Sequence, residues 1–244
     1  MPFAWSWSAL EGFETCPKKY YHTRIKKDYV EPDSEAQTWG KQVHDALANR
    51  INKARKLPET MPYEKHIEEV LKNSDRTLVS TKAEQDLAVT EDMTPCQFFD
   101  RRVDPWLRAK VDVLKVRLQD GIARIVDWKT GKAENERYPK YYPDPVTGKN
   151  VPTSDQLKLS AAIVMAHYPE IDVAWTQFVW VEHDVVTDEM VTRADLPKFW
   201  SKMLPRVDKM EQAYKTTEYL PKPGGLCKNH CPVTGCPYHG RGSY

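Results

Sequence analysis

"VDVLKVRLQDGIARIVDWKTGK", Val111 to Lys132, decides the fold. Two alternating segments flank Asp120-Gly121, and an Asp-Gly pair between alternating hydrophobic runs signals a β-hairpin. A two-residue turn there sets Gln119 opposite Ile122, Asp112 opposite Lys129 and Leu114 opposite Asp127. Side chains alternate with period two. One face therefore carries Asp112, Leu114, Val116 and Leu118 beside Ala123, Ile125, Asp127 and Lys129. That face is apolar except at its open end, where two carboxylates and one ammonium meet. Burying them costs on the order of several kcal/mol per ion unless the charges are compensated. Two readings are open. Asp112 and Lys129 pair across the strands and Asp127 stays solvated, or the two carboxylates hold a divalent cation. Hard oxygen ligands select magnesium or manganese. The lysine would then orient a water or stabilise charge developing on a phosphate.

Around this hairpin the chain reads as alternating helices and strands. A serine-capped helix covers 6–22, a second covers 39–56 with Val43, Leu47 and Ile51 at helical spacing, and "YEKHIEEVLKN" is a third. Strands are expected near 78–90, 97–103, 107–119 and 122–130. A polar, proline-rich loop separates them from the helix "SDQLKLSAAIVMAHY", the strand "DVAWTQFVWVEHDVV" and a last helix over 195–215, which Pro205 interrupts. Strands flanked by helices without a strong linker favour a single α/β domain over residues 1–244. Charged residues make up 29% of the 244, the net charge is +1 and the mean hydropathy is −0.68. No apolar run approaches the roughly 20 residues that span a bilayer. The start, "MPFAWSWSALEGF", lacks the features of a signal peptide. These features lead to the expectation of a cytoplasmic protein without a membrane partner. Local basic stretches, "CPKKYYHTRIKKDY" and "NRINKARK", leave room for a polyanion.

The hairpin resembles the core of the PD-(D/E)XK nucleases, in their RecB-like, CRISPR-associated exonuclease branch. Asp112 stands at the first acidic position and Asp127-Trp128-Lys129 at the D/E-x-K triplet. "WSWSALEGFETCPKKYYH" is similar to the family's opening motif, "GKQVHDAL" to its G-x-x-x-H helix, and "SDQLKLSA" to its glutamine-bearing helix. The resemblance implies a restriction-endonuclease-like core, a mixed central sheet flanked by helices. It implies a magnesium- or manganese-dependent deoxyribonuclease, an exonuclease, acting in recombination, repair or phage genome processing. Asp112 and Asp127 would bind the metal with His44 and the Trp128 carbonyl, and Lys129 would assist the attacking water. Gln156 and, from "KAEQDLAV", Glu84 complete the implied catalytic set. Where the family often has tyrosine four residues after the glutamine, this chain has Ser160.

The residues themselves leave alternatives at three of these places. His44 adjoins the Val43–Leu47 stripe, where a lone histidine is more often a core-rim residue than a ligand. Thr153-Ser154-Asp155-Gln156 fits a capping box, in which the glutamine satisfies a backbone amide. The loop "ENERYPKYYPDPVTGK" sets Tyr138, Tyr141 and Tyr142 beside Arg137 and Lys140, a composition that stacks bases or is simply solvated.

Cys227, Cys231 and Cys236 crowd into "CKNHCPVTGCPYHG". In a reducing cytoplasm such clusters more often bind metal than form disulfides. His239 would complete a zinc site. Alternatively Cys16 supplies a fourth thiolate for an iron–sulfur cluster. The resemblance implies the second arrangement: related nucleases with an early Cys-Pro, here Cys16-Pro17, and three late cysteines carry a 4Fe-4S cluster. It would join residues 1–30 and 220–244 into one subregion. Here three and four residues separate the late cysteines, where the family more often has two and five. Cys96 reads as a spare buried thiol. Partners expected are single-stranded DNA or duplex ends and, since no Walker-type loop is present, a helicase or recombination protein. Two competing classes are a non-catalytic cluster-bearing DNA-binding module and a zinc-stapled scaffold for protein partners.

Overall fold

The central hairpin closes over four residues rather than two in the computed structural model of the chain. Leu118–Asp120 form a 3-10 turn and Gly121 follows in the left-handed region at φ 64°. Arg117 therefore lies opposite Ile122, and Leu114 opposite Ile125. The expected pairs Asp112–Lys129 and Leu114–Asp127 do not form. A slip of one residue would have turned every side chain to the other face, but a slip of two preserves the faces. Leu114, Val116, Ala123 and Ile125 accordingly share one buried surface.

The structure describes residues 2–72, 79–100, 102–131, 141–143, 150–152 and 155–241, the two short stretches 141–143 and 150–152 by their backbone. In chain order the elements are α1 (Trp7–Thr15), α2 (Pro17–Tyr20), α3 (Glu35–Lys53), α4 (Glu64–Leu71), β1 (Val79–Val89), β2 (Pro95–Cys96), β3 (Leu107–Arg117), β4 (Ile122–Lys129), β5 (Tyr141–Pro143), β6 (Asn150–Pro152), α5 (Asp155–His167), β7 (Val173–Trp180), β8 (Val185–Thr192), α6 (Leu196–Thr216) and α7 (Leu226–Asn229). They fall into two compact units, Ser34–Pro197 and Met1–Asp33 with Lys198–Tyr244. Among the described residues no helix is long and apolar enough to cross a membrane.

The larger unit is an α/β fold built on a six-stranded mixed sheet of order β2-β1-β3-β4-β7-β8. Only β4 and β7 run parallel. A parallel neighbour needs a crossover connection, here the one containing α5, whereas the antiparallel pairs close by turns. α3 begins at Glu35, earlier than its apolar spacing suggests, because Ser34 and Gln37 form a capping box. With α4 it covers one face, where Val43, Leu47, Ile67 and Val70 pack with Val113, Val126 and Trp128. α5 packs against β1, β3, β4 and β7. Its run Ala161–Met165 is buried throughout, as in a helix that is apolar all round.

Two expected strands differ. Among the described residues of 97–103 none joins a strand; the pairing falls on Pro95–Cys96 just before, and the Asp100 N–H donates to the Gln97 carbonyl at 3.2 Å in a turn that follows at once. The stretch 172–186 breaks into β7 and β8, which fold back on each other through a turn with Asp184 at φ 54°. In the smaller unit Ser6 caps α1, and the chain leaves helical geometry at Cys16. Pro17 enforces that break, since the residue before proline disfavours the α region, and opens α2 at its first position. A π-helical turn follows over Tyr21–Ile25. Phe13 meets Tyr20 and Tyr219 edge to face, and Arg206 grips Glu14 through two hydrogen bonds of 2.7 and 2.8 Å. α6 runs unbroken through Pro205.

A Cβ at Gly121 would need left-handed backbone and would stand 3.2 Å from the Glu170 carbonyl oxygen. Gly121→Ala is expected to lower the unfolding free energy by about 1–2 kcal/mol, read from the midpoint of a urea titration at unchanged slope.

Candidate active site

The β3–β4 ladder ends at Val113 and Val126. Beyond it two side chains take over the backbone groups of Trp128. Its N–H donates to Asp112 Oδ2 at 2.8 Å, and its carbonyl accepts from His44 Nε2 at 3.0 Å. His44 reaches this carbonyl because α3 approaches the end of β4 closely one turn earlier. A Cβ at Gly40 would lie 3.1 Å from Thr130 Oγ1, which is the physical content of the G-x-x-x-H spacing. His44 thus makes a backbone hydrogen bond at the end of β4 as well as standing beside the Val43–Leu47 stripe. Its Nδ1 stands 3.4 Å from Asp112 and 4.0 Å from Glu84.

Glu84 comes from the neighbouring strand. Ala83 pairs with Val113 and Gln85 with Val111, so Glu84 sits across from Asp112 at a gap in the β1–β3 ladder. Its φ is 53°, a conformation that costs a residue with a Cβ about 1–2 kcal/mol. Asn52, two turns beyond His44 on α3, holds this place: its amide accepts from the Ala83 N–H at 2.9 Å and donates to the Ala83 carbonyl at 3.1 Å. Among the described residues, His44, Glu84 and Asp112 are the one His/Cys/Asp/Glu group whose ligand atoms lie within 4.8 Å of one another.

Asp127 and Lys129 share the adjoining strand end. Lys129 Nζ lies 2.8 Å from Asp127 Oδ2 and 4.7 Å from the centroid of Phe178. Gln156 at the start of α5 donates to Asp127 Oδ1 at 2.6 Å and accepts from Lys129 at 3.3 Å. Both ends of its amide are therefore used within the site. Thr153 and Ser154 of the expected capping box lie outside the described residues. The crossover causes this meeting: α5 starts beside the carboxyl end of β4 before the chain returns along β7. Ser160 donates to the Gln156 carbonyl at 3.1 Å, so its hydroxyl is turned to its own helix.

Two lysines, Lys129 at Asp127 and Lys110 at 3.0 Å from Glu84, offset the three carboxylates in part. Burial pushes the Asp127 carboxyl up to about 6 against the Lys129 charge, and Asp112 adds to the rise. Burial drives the His44 imidazole down, but its hydrogen bond to Asp112 and the charges of Asp112, Asp127 and Glu84 outweigh it, and the net shift is upward. The His44 shift records the negative charge gathered around it, which a divalent cation relieves. The donor set of carboxylates and one imidazole fits magnesium or manganese.

Sequence reasoning missed Lys110 and Asn52. Lys110 shares a face of β3 with Asp112, which strand alternation signals, whereas the role of Asn52 exists only once α3 lies along the edge of β1. Arg137, Tyr138 and Lys140 of the aromatic loop lie outside the described residues, as do the side chains of Tyr141 and Tyr142. In the smaller unit Cys16, Cys227, Cys231 and Cys236 line one cavity with Lys18, Lys19, Lys222 and His239. The Lys222 N–H donates to Cys16 Sγ at 3.5 Å. Cys96 lies elsewhere and is half-buried rather than buried.

A profile of the PD-(D/E)XK nuclease superfamily matches residues 4–239, a span that includes both units. Comparison with curated proteins gives no match. Among solved structures, the chain is similar to a protein from Eubacterium rectale described as a "putative exonuclease". The two are 14% identical, the match covers 93% of this chain and 86% of that one, and the TM-score is 0.50. At that identity the likeness is one of fold. A protein named SSO0001 matches at 11% identity and a TM-score of 0.40, over 97% of this chain and 87% of that one.

Removing the Asn52 amide leaves the N–H of buried Ala83 without its acceptor, while the Ala83 carbonyl keeps the Gln85 amide as donor at 3.1 Å. Asn52→Ala is expected to cost about 1–3 kcal/mol of stability. It is also expected to weaken Mn²⁺ binding about tenfold, as loss of a ligand's supporting contact does. A urea titration and calorimetric Mn²⁺ binding check the two effects.

Proposed function

The chain belongs to the PD-(D/E)XK nuclease superfamily, and from this premise we propose that it is an Mg²⁺- or Mn²⁺-dependent deoxyribonuclease, an exonuclease of the RecB-like branch. The observation that carries the reading is the convergence of His44, Glu84 and Asp112 within 4.8 Å, beside the Asp127–Lys129–Gln156 triangle. His44, Glu84, Asp112 and Asp127 would hold the cation, with the Trp128 carbonyl, whose second lone pair remains after His44 is served. When bound there, such a cation would supply Lewis-acid polarisation of the scissile phosphate and a nucleophilic water at neutral pH. Lys129 presents an ammonium proton to the attacking water or to a non-bridging phosphate oxygen, where negative charge develops. Gln156 fixes the orientation of both Asp127 and Lys129. Phe178, under the ammonium, keeps it aimed along the strand end.

A non-catalytic DNA-binding module has less support, because such a role needs neither the Glu84 backbone nor the alignment of Lys129. Asp127→Ala and Lys129→Ala are each expected to reduce cleavage of end-labelled DNA in Mn²⁺ by at least about 10²–10³-fold. Far-ultraviolet circular dichroism should stay unchanged. Full activity in either variant would remove the site from the reading.

We further read the cysteine cavity as a 4Fe-4S site ligated by Cys16, Cys227, Cys231 and Cys236. What supports the reading is the lining itself: four cysteines from two stretches of the chain face one cavity, and four thiolates are the ligand set of such a cluster. Lys18, Lys19 and Lys222 at its wall offset the charge of four thiolates. Cys16→Ser is expected to lose iron and its brown colour, whereas His239→Ala keeps both, by elemental analysis and absorbance. Zinc retained in Cys16→Ser and lost in His239→Ala would reverse the assignment.

A further inference from the structure

Along β3, outward from Asp112, one face of the sheet changes character. Its even-numbered side chains share that face. Val116 and Leu114 are buried, Asp112 belongs to the candidate metal cluster, and Lys110 and Arg108 continue the row toward solvent. Arg108 lies opposite Ala88, and Ala88 opposite Cys96, so the chain leaving β2 carries Phe98 and Phe99 to Arg108. The two rings meet edge to face with centroids 4.9 Å apart. The Arg108 guanidinium carbon lies 5.7 Å from one centroid and 5.3 Å from the other. Phe99 is nonetheless 75% exposed. Arg108 Nε is buried with no hydrogen-bond partner among the described residues. A ring packed only to hold this connection would be covered by it. Here the fold instead fixes an aromatic ring with a cation and leaves most of the ring in water.

We propose that Phe99, backed by Phe98 and Arg108, is a stacking subsite for an unpaired base of the DNA strand cut at the metal cluster. The inference rests on the nuclease reading of that cluster and adds the form of the substrate near it. Every base has a π-face, and an aromatic side chain beside a cation binds such faces without regard to sequence. Within a duplex those faces are already stacked on one another. Four residue steps of strand lead from Arg108 to Asp112, about 14 Å at the usual rise. Lys110 stands between them at 3.0 Å from Glu84, a cation on the path the phosphates would follow. The subsite thus selects a strand that is single where it approaches the cluster.

Affinity for a short fluorescein-labelled oligothymidylate, measured by anisotropy in EDTA, tests this without requiring cleavage. Phe99→Ala is expected to weaken binding about 5- to 100-fold. Phe99→Leu, which keeps apolar bulk but has no π-face, should do the same, and Phe99→Trp should restore wild-type affinity. A strand built of abasic sites should bind the wild type and Phe99→Ala equally. Equal affinity of both for the base-bearing strand would overturn the proposal. So would a loss of the same size on the abasic strand, or a wild type that fails to bind the oligothymidylate. Cleavage by the wild type in Mn²⁺ is scored separately, so a failed nuclease reading appears there and not in the EDTA binding difference.

Discussion

The site depends on a split in the sheet at Trp128. β3 and β4 pair as an ordinary antiparallel ladder up to Val113 and Val126, and the next two backbone groups of β4 would be unsatisfied if nothing replaced the neighbouring strand. Asp112 and His44 replace it, one as acceptor and one as donor. Two residues suited to metal binding are therefore held by the same hydrogen bonds that keep the end of β4 in place. Their positions are set by backbone geometry rather than by flexible side-chain packing, which is the precision a site for phosphate chemistry needs.

A second constraint is charge. Asp112, Asp127 and Glu84 approach one another at the rim of an apolar sheet, and the protein balances them with Lys110, Lys129 and His44. The balance is incomplete. Asp127 is driven upward by burial and by Asp112 although Lys129 touches it. Glu84 enters the group through a left-handed backbone that strand residues avoid, and Asn52 sustains it from α3. Strain and unbalanced charge at one place are the usual marks of a site organised for a ligand rather than for stability.

The smaller unit obeys a different logic. Its side chains meet through aromatic edges, the Arg206–Glu14 pair and the cysteine-lined cavity. Pro17 breaks the first helix at Cys16, so that this thiol leaves the helical row and joins the three cysteines that follow α6. A covalently ligated group in such a cavity would tie two segments far apart in sequence.

The sequence by itself determined the alternation of the central hairpin, and therefore which residues share a face. It also ordered Gly40, His44, Asp112, Asp127, Lys129 and Gln156 in a recognisable series. Those features are local: strand period, helix spacing and the chemistry of single residues. The register was beyond it, because Gly121 closes a four-residue turn that an Asp-Gly pair does not distinguish from a two-residue one. Two further outcomes were decided in tertiary structure. Gln156 meets Asp127 because the parallel crossover starts α5 beside the end of β4. Glu84 joins His44 and Asp112 because a ladder interrupted on β1 and an asparagine on α3 turn it there. Each of these pairings joins residues far apart in the chain, and no spacing in the sequence encodes the free energy of their meeting.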